Sequence, residues 1–294
     1  MDILLFGKNG QVGWELQRAL APLGRVIALD SRSTHYCGDF TDPKGIAETV
    51  RLIKPQVIVN AAAYTAVDKA ESEPDKARLI NAITVTDIAK AAEEVGAWFV
   101  HYSTDYVFNG QGNNPWCEED LTGPLNIYGE TKLEGELGIK QYCSKHMIFR
   151  TSWVYGSRGN NFSRTMLKLA KTHESLSVIS DQFGVPTGAD LIADCTAHAI
   201  KTALHDVKVA GIYHLTASGE TTWHAYASTV IERARELGAE IKAREIKAVQ
   251  TSAFPTPAKR PGNSRLNNEK FQRTFGLTLP QWQPGIERLL TEIL

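Results

Sequence analysis

The sequence predicts an α/β fold, a doubly wound parallel sheet covered by helices, followed by a smaller lobe in the C-terminal half. Two observations predict it. Short apolar runs alternate with longer amphipathic stretches through the first half, which is the pattern of successive βα units around a parallel sheet. Beyond Arg150 the composition changes, and Gly156, Gly159, Pro186 and Gly188 punctuate it. Residues 1–150 are therefore read as the sheet domain, and 151–294 as mainly a second lobe with some segments returning to the first.

In order, residues 3–6 read as a strand, 11–23 as a helix, 26–29 as a strand, 46–53 as a helix and 57–59 as a strand. A helix over about 75–95, a strand at 98–102, a helix beginning near Ile127 and a strand at 147–151 continue the series. Six or seven parallel strands are expected. In the second half, 162–171, 191–204 and 222–237 carry helical periodicity, 211–215 is a short apolar run, and 254–261 is rich in proline. No internal repeat or low-complexity tract interrupts the series.

With 43% apolar residues the chain can bury a substantial core. Its 32 basic and 33 acidic residues leave a net charge of −1, too little field to hold a polyanion, so nucleic acid is not an expected partner. Cys37, Cys117, Cys143 and Cys195 are far apart without CxxC spacing, which argues against zinc or a disulfide framework and suits a reducing cytoplasm. The start, MDILLFG, has too short an apolar run for a signal peptide, and no stretch approaches the roughly 18 apolar residues of a membrane helix. A soluble protein is expected.

Gly7, Gly10 and Gly13 form GKNGQVG between the first strand and the first helix, with Gln11 and Val12 at the helix start. Glycine there permits a tight turn and lets backbone N–H groups approach a pyrophosphate, the signature of a Rossmann-like dinucleotide site. Asp30 ends the second strand roughly 20 residues on, where a carboxylate can take the adenosine ribose hydroxyls and favour NADH. Arg32 could instead pair with a 2′-phosphate, so NADPH stays open, and Asp30 could also simply cap its loop. Asp39 and Phe40 could lie against adenine. Asn60-Ala61-Ala62-Ala63, read as following a fourth strand, could allow close cofactor approach, and Tyr64 is a further cofactor-binding candidate; helix–sheet packing for the alanines and capping for Asp42 are the alternatives.

Tyr128 and Lys132 stand one helical turn apart in YGETK, so both project from one helix face. A nearby ammonium favours the phenolate and brings tyrosine closer to proton transfer at working pH. Ser103-Thr104-Asp105 closes the 98–102 strand at the carboxyl edge, where open α/β sheets bind ligands, and a hydroxyl there can hold a carbonyl oxygen.

Glycine turn, ribose-spaced acid, hydroxyl and YxxxK occur in the order of the extended short-chain dehydrogenases/reductases, which this chain resembles. STDYVF at 103–108, YGETKLEGE at 128–136, RTSWVYG at 150–156, NNF at 160–162, DQFGVPT at 181–187 and RPGNSRL at 260–266 resemble the dTDP-4-dehydrorhamnose reductase branch of that family. The resemblance implies NAD(P)H-dependent reduction of the C4 ketone of dTDP-4-dehydro-6-deoxy-L-mannose to dTDP-L-rhamnose, for cell-surface polysaccharide. It implies that Tyr128 donates the proton, that Lys132 tunes Tyr128 and holds the nicotinamide ribose, and that Thr104 holds the same oxygen. Thr104, Asp105, Trp153 and Arg260 would contact the substrate, Arg260 through its diphosphate. It further implies a homodimer with magnesium at the interface, at positions resembling Glu15 and Asp190; a solvated helix face and a helix-start carboxylate are the plainer explanations.

A nucleotide-sugar 4,6-dehydratase would carry Thr-Asp-Glu where this chain has Thr104-Asp105-Tyr106, and elimination lacks its second carboxylate here. An epimerase shares Tyr and Lys but not the later DQFGVPT and RPGNSRL segments. Some reductase-like proteins, among them the regulatory subunit of methionine adenosyltransferase, bind partners without turnover; the retained Thr104, Tyr128 and Lys132 argue against that role.

Overall fold

The computed structural model describes all 294 residues. β1 (Asp2–Phe6), α1 (Gln11–Leu20), β2 (Arg25–Leu29), α2 (Pro43–Ile53) and β3 (Val57–Asn60) come first, then two short helices, α3 (Val67–Ala70) and α4 (Pro74–Arg78). α5 (Thr84–Val95), β4 (Trp98–Thr104), α6 (Ile127–Tyr142) and β5 (His146–Thr151) complete the first half. The second half holds β6 (Val154–Tyr155), α7 (Phe162–Thr172), β7 (Ser175–Ile179), β8 (Phe183–Gly184), β9 (Thr187–Gly188) and α8 (Ala189–Ala203). It ends with β10 (Gly211–His214), β11 (Thr221–Thr222), α9 (Trp223–Glu236), β12 (Glu245–Val249), α10 (Glu269–Phe275) and α11 (Trp282–Ile293).

The central sheet has six strands in the order β10-β5-β4-β3-β1-β2, every neighbouring pair parallel. The chain winds outward from β1 to β2 and then returns to β3 on the other side, so the carboxyl ends of β1 and β3 flank a crevice at the reversal. Both faces of the sheet are covered, which is why its strands read as continuous apolar runs. Ile3 and Leu5 pack with Leu16 and Leu20 of α1 and Ile192 and Ala199 of α8. Leu4 and Phe6 point the opposite way, against Ile46 and Val50 of α2 and Ile88 of α5. Each such side chain, fully buried, contributes about 1.5–3 kcal/mol.

A third apolar cluster, including Tyr155, Met166, Val178, Tyr226 and Ile286, forms the core of the second lobe. That lobe is not a simple C-terminal block. β10 pairs with β5 and extends the main sheet, while α8 and Phe271 of α10 belong to the core on the α1 face.

Three local features depart from expectation. The helix expected over 75–95 contains a π-helical segment at Leu79–Ile83, where the Thr84 hydroxyl donates to Leu79 O at 2.9 Å and to Phe40 O at 2.8 Å. Asn60 to Ala63 follow the third strand of the chain, not a fourth. β7, β12, α10 and α11 were not among the expected elements, although the exposed–buried alternation of Ser175–Ile179 is the period-two pattern of a half-buried strand. No helix is long and apolar enough to cross a membrane, and all four cysteines are free thiols.

Candidate active site

The glycine turn is held by close packing that tolerates no side chain at Gly7 or Gly13. Gly7 has φ +84°, and a Cβ there would lie 2.6 Å from Ala62 N; at Gly13 it would lie 2.0 Å from Gly7 O. Gly13 is thus a packing residue between helix and turn. Gly10 caps α1 without a side-chain hydrogen bond, which leaves first-turn N–H groups for an anion.

A cleft of about 920 Å³ runs from this turn across the carboxyl edge of the sheet. Among the expected residues, Gly7, Gly10, Gln11, Val12, Asp30, Asp39, Phe40, Ala62, Ala63, Tyr128 and Lys132 line it. Gly13, Tyr64, Thr104, Asp105, Trp153 and Arg260 are not on its wall. Tyr64 is turned aside: its hydroxyl donates to Glu73 at 2.9 Å and its backbone N–H to Asn81 Oδ1 at 2.8 Å.

Asp30 does two things at once. It lines the cleft and also holds its own loop, accepting from Arg32 N and Ser33 Oγ at 3.0 Å and from Asn9 Nδ2 at 2.5 Å. Arg32 stands on the same wall, so neither cofactor is favoured by exclusion of the other. Asp39 accepts from Thr41 N and Oγ1 at 2.9 and 2.8 Å, buried Phe40 packs edge-on against Phe6, and Asp42 caps α2 through Gly45 N.

Asn126 caps α6 by accepting from Gly129 N at 2.9 Å, and its amide donates to Lys259 O at 2.8 Å, tying the helix start to the Pro-rich loop. In the first turn, the Tyr128 ring meets Tyr106 edge to face, centroids 5.7 Å apart. Burial pushes the Tyr128 phenol up to about 12, while the Thr104 hydroxyl beside it pulls the other way. A tyrosine so placed is protonated at neutral pH. Lys132 donates to Tyr102 O at 2.6 Å and lies 3.0 Å from His101 Nε2, and burial pulls its ammonium down to about 8. One turn further, Glu136 receives Arg150 at 2.9 and 2.7 Å in a fully buried pair that fastens α6 to β5.

Thr104 ends β4 and donates to Asp105 Oδ1 at 3.0 Å. Burial pushes the Asp105 carboxyl up to about 6, against the opposing pull of Ser264 and Thr104, and its Oδ2 has no hydrogen-bond partner. Ser103 Oγ and Thr151 Oγ1 are likewise buried without partners, and both residues line the cleft near Lys132. Sequence reading missed Thr151; its place at the end of a strand beside β4 was the available signal.

Trp153 belongs to the second lobe. Its φ of +46° swings the indole onto Trp223, with ring centroids 3.6 Å apart and planes at 16°. Arg260 is held by Asp68, to which both terminal guanidinium nitrogens donate at 2.8 and 2.7 Å.

Glu15 and Asp190 do share a cleft, a small one of about 40 Å³ with Arg288 and Glu292 on its wall. Arg18 lies 3.4 Å from Glu15 and Arg288 lies 3.7 Å from Asp190. No group of three or more potential ligands converges anywhere in the chain. Within one chain these carboxylates, each beside an arginine, do not fit a magnesium ion.

The family model for the RmlD substrate binding domain matches residues 1–294. The dTDP-4-dehydrorhamnose reductase of Escherichia coli (strain K12) is 66% identical over 293 residues, spanning 100% of this chain and 98% of that protein. A crystal structure of a dTDP-4-dehydrorhamnose reductase from Clostridium acetobutylicum superposes with a TM-score of 0.89 at 37% identity, covering 100% of this chain and 99% of the other. The Bacillus anthracis dTDP-4-dehydrorhamnose reductase, solved in complex with NADP, gives a TM-score of 0.88 at 35% identity over 99% of both chains. By full-length sequence and by fold, the chain belongs to the dTDP-4-dehydrorhamnose reductase family.

Proposed function

We propose that this oxidoreductase reduces the C4 ketone of dTDP-4-dehydro-6-deoxy-L-mannose to give dTDP-L-rhamnose at the expense of NADPH or NADH. The observation that carries the residue assignment is Tyr128 and Lys132 together on the wall of a cleft that begins at the glycine turn, with the Thr104 hydroxyl beside the Tyr128 phenol. The donor set of that cleft suits a nicotinamide dinucleotide: free N–H groups at the α1 start for the pyrophosphate, Asp30 or Arg32 at the adenosine end, and unpartnered hydroxyls at Ser103 and Thr151. When bound, the reduced nicotinamide supplies the hydride.

The chain's own residues handle the proton and the oxygen. Tyr128, protonated at neutral pH, donates to the sugar O4 as negative charge develops there, and Thr104, once its hydroxyl turns from Asp105, donates to the same atom. Lys132 holds the nicotinamide ribose and offsets the charge left on Tyr128. Asp105, Trp153 and Arg260 contact the substrate, which requires Arg260 to leave Asp68 for the diphosphate. Tyr106 occupies the position where a dehydratase would need glutamate, and it offers no carboxylate for elimination.

The finer parts of the reading are a cytoplasmic homodimer and a role in cell-surface polysaccharide such as O-antigen. The cleft of Glu15, Asp190 and Glu292 could take magnesium only if a second copy brought further carboxylates to it. A chelator that leaves both sedimentation and activity unchanged would rule the metal out. The decisive assay follows nicotinamide oxidation with the 4-keto sugar generated in situ from dTDP-glucose, with the product identified by NMR. dTDP-L-rhamnose as product supports the reading, whereas tight cofactor binding without oxidation would return the chain to a binding role.

A further inference from the structure

The buried side of Lys132 is organised by two residues outside the Tyr128–Lys132 motif. His101, wholly buried in β4, places Nε2 3.0 Å from Lys132 Nζ, and its other ring nitrogen, Nδ1, lies 3.0 Å from Asn60 Nδ2 at the end of β3. The Asn60 amide cannot turn freely, because Ala62 N–H donates to its Oδ1 at 2.9 Å. A carboxamide nitrogen has only hydrogens to offer, so Nδ1 must accept, and the neutral imidazole then carries its proton on Nε2. That proton points at Lys132. An amine meets it with a lone pair, whereas an ammonium meets it hydrogen against hydrogen.

We propose that Asn60 and His101 are positioning residues that act through Lys132: Asn60 fixes the imidazole tautomer, and the tautomer makes the lysine proton easier to lose. The proposal rests on the role given to Lys132 above. Among the groups around that nitrogen, Glu136 opposes the loss by favouring the ammonium. On α6 itself stand Tyr128 and Glu136, and the Glu136 carboxylate is taken up by Arg150 of β5. β4 supplies His101 and the Tyr102 carbonyl, with Asp105 beyond its end, and β3 supplies the uncharged Asn60. Burial draws Lys132 down to about 8 against the pull of Glu136, and burial together with the Lys132 charge keeps His101 neutral, so the imidazole proton works in the same direction as burial. The pull stops short of neutral pH: with a midpoint near 8, Lys132 there is still the ammonium that offsets the charge left on Tyr128.

The test uses the whole protein without cofactor, labelled with nitrogen-15 in histidine. At about pH 9, above the lysine transition, two-bond proton–nitrogen correlations should show His101 protonated at Nε2 and bare at Nδ1. Protonation at Nδ1 would overturn the proposal. Asn60→Asp keeps an oxygen for Ala62 N–H and offers a second to Nδ1, which reverses the tautomer. The Lys132 midpoint, read from the carbon-13 lysine resonance that Lys132→Met removes, should then rise by about one pH unit or more. In a His101→Gln background the same substitution should move it by less than half as much. Equal shifts in both backgrounds would reveal a plain charge effect and defeat the relay. Neither measurement depends on turnover, so a Lys132→Met variant with undiminished activity would sink the functional reading without touching the imidazole result.

Discussion

Arg260 and Asp68 join the Pro-rich loop to α3 through one two-toothed ion pair. The pair holds the Asp68 carboxyl below, and the Arg260 guanidinium above, their ordinary ranges. A substrate diphosphate that recruits Arg260 has to compete with this carboxylate.

Arg260→Ala should therefore raise KM for the nucleotide sugar by about 10-fold or more, the loss of a charge-assisted contact, with a smaller change in kcat. Asp68→Asn should lower KM, because the competitor loses its charge while the loop keeps its shape. Steady-state kinetics on the two variants check both; matching increases in KM would mean the pair only braces the loop.

Tyr128→Phe removes a transferable proton and nothing else of size. Turnover should fall by a factor on the order of 10² or more, while cofactor affinity, measured by fluorescence titration, stays near its starting value. Near-normal turnover would take Tyr128 out of the chemistry.

Asp30→Ala should weaken NADH more than NADPH, since only the former depends on the carboxylate at the ribose. The substitution also removes the cap on the loop around Arg32 and Ser33, so some loss for both is expected. Equal losses in parallel titrations would assign Asp30 to loop structure alone.

Asp105 makes stability depend on pH in an unusual direction for a carboxylate. Its native pKa, about 6, lies above the unfolded value near 3.8, so between those limits the native state holds the extra proton. Stability contributed by this group is full below about 4, falls as pH rises to about 6, and stays lost above it. Asp105→Asn should flatten that slope and stabilise the protein at pH 7 by a few kcal/mol, since each pH unit separating the native and unfolded values is worth about 1.4 kcal/mol. Urea unfolding at pH 5 and pH 7.5 gives the comparison, and an unchanged slope would contradict the buried, protonatable carboxyl.

What was legible in the sequence is what local pattern determines. The glycine turn, the Tyr128–Lys132 spacing and the hydroxyl at the end of β4 each sit within one short segment, and the parallel sheet brings those segments to a common edge. Residues whose role depends on a distant partner were not legible in the same way. Arg260 is claimed by Asp68, Tyr64 by Glu73, and Trp153 by Trp223, and no periodicity announces such pairings. The π-helical segment is similar: helical spacing runs straight through it, and only the buried Thr84 and Asn81 reveal why the turn is wider. His101 reads as one more residue of an apolar strand, and only Asn60 at the end of β3 and Lys132 of α6 give its ring a purpose.

The last strand of the central sheet also governs how the chain can be assembled and cut. β5 leaves the ribosome with one edge bare, and that edge stays unpaired until the second lobe has been made and β10 arrives to cover it. A nascent or nicked chain that ends between the two strands presents a parallel ladder with free N–H and C=O groups, a template for joining other chains. Expression of the first half alone should yield aggregates and no independent cofactor-binding unit.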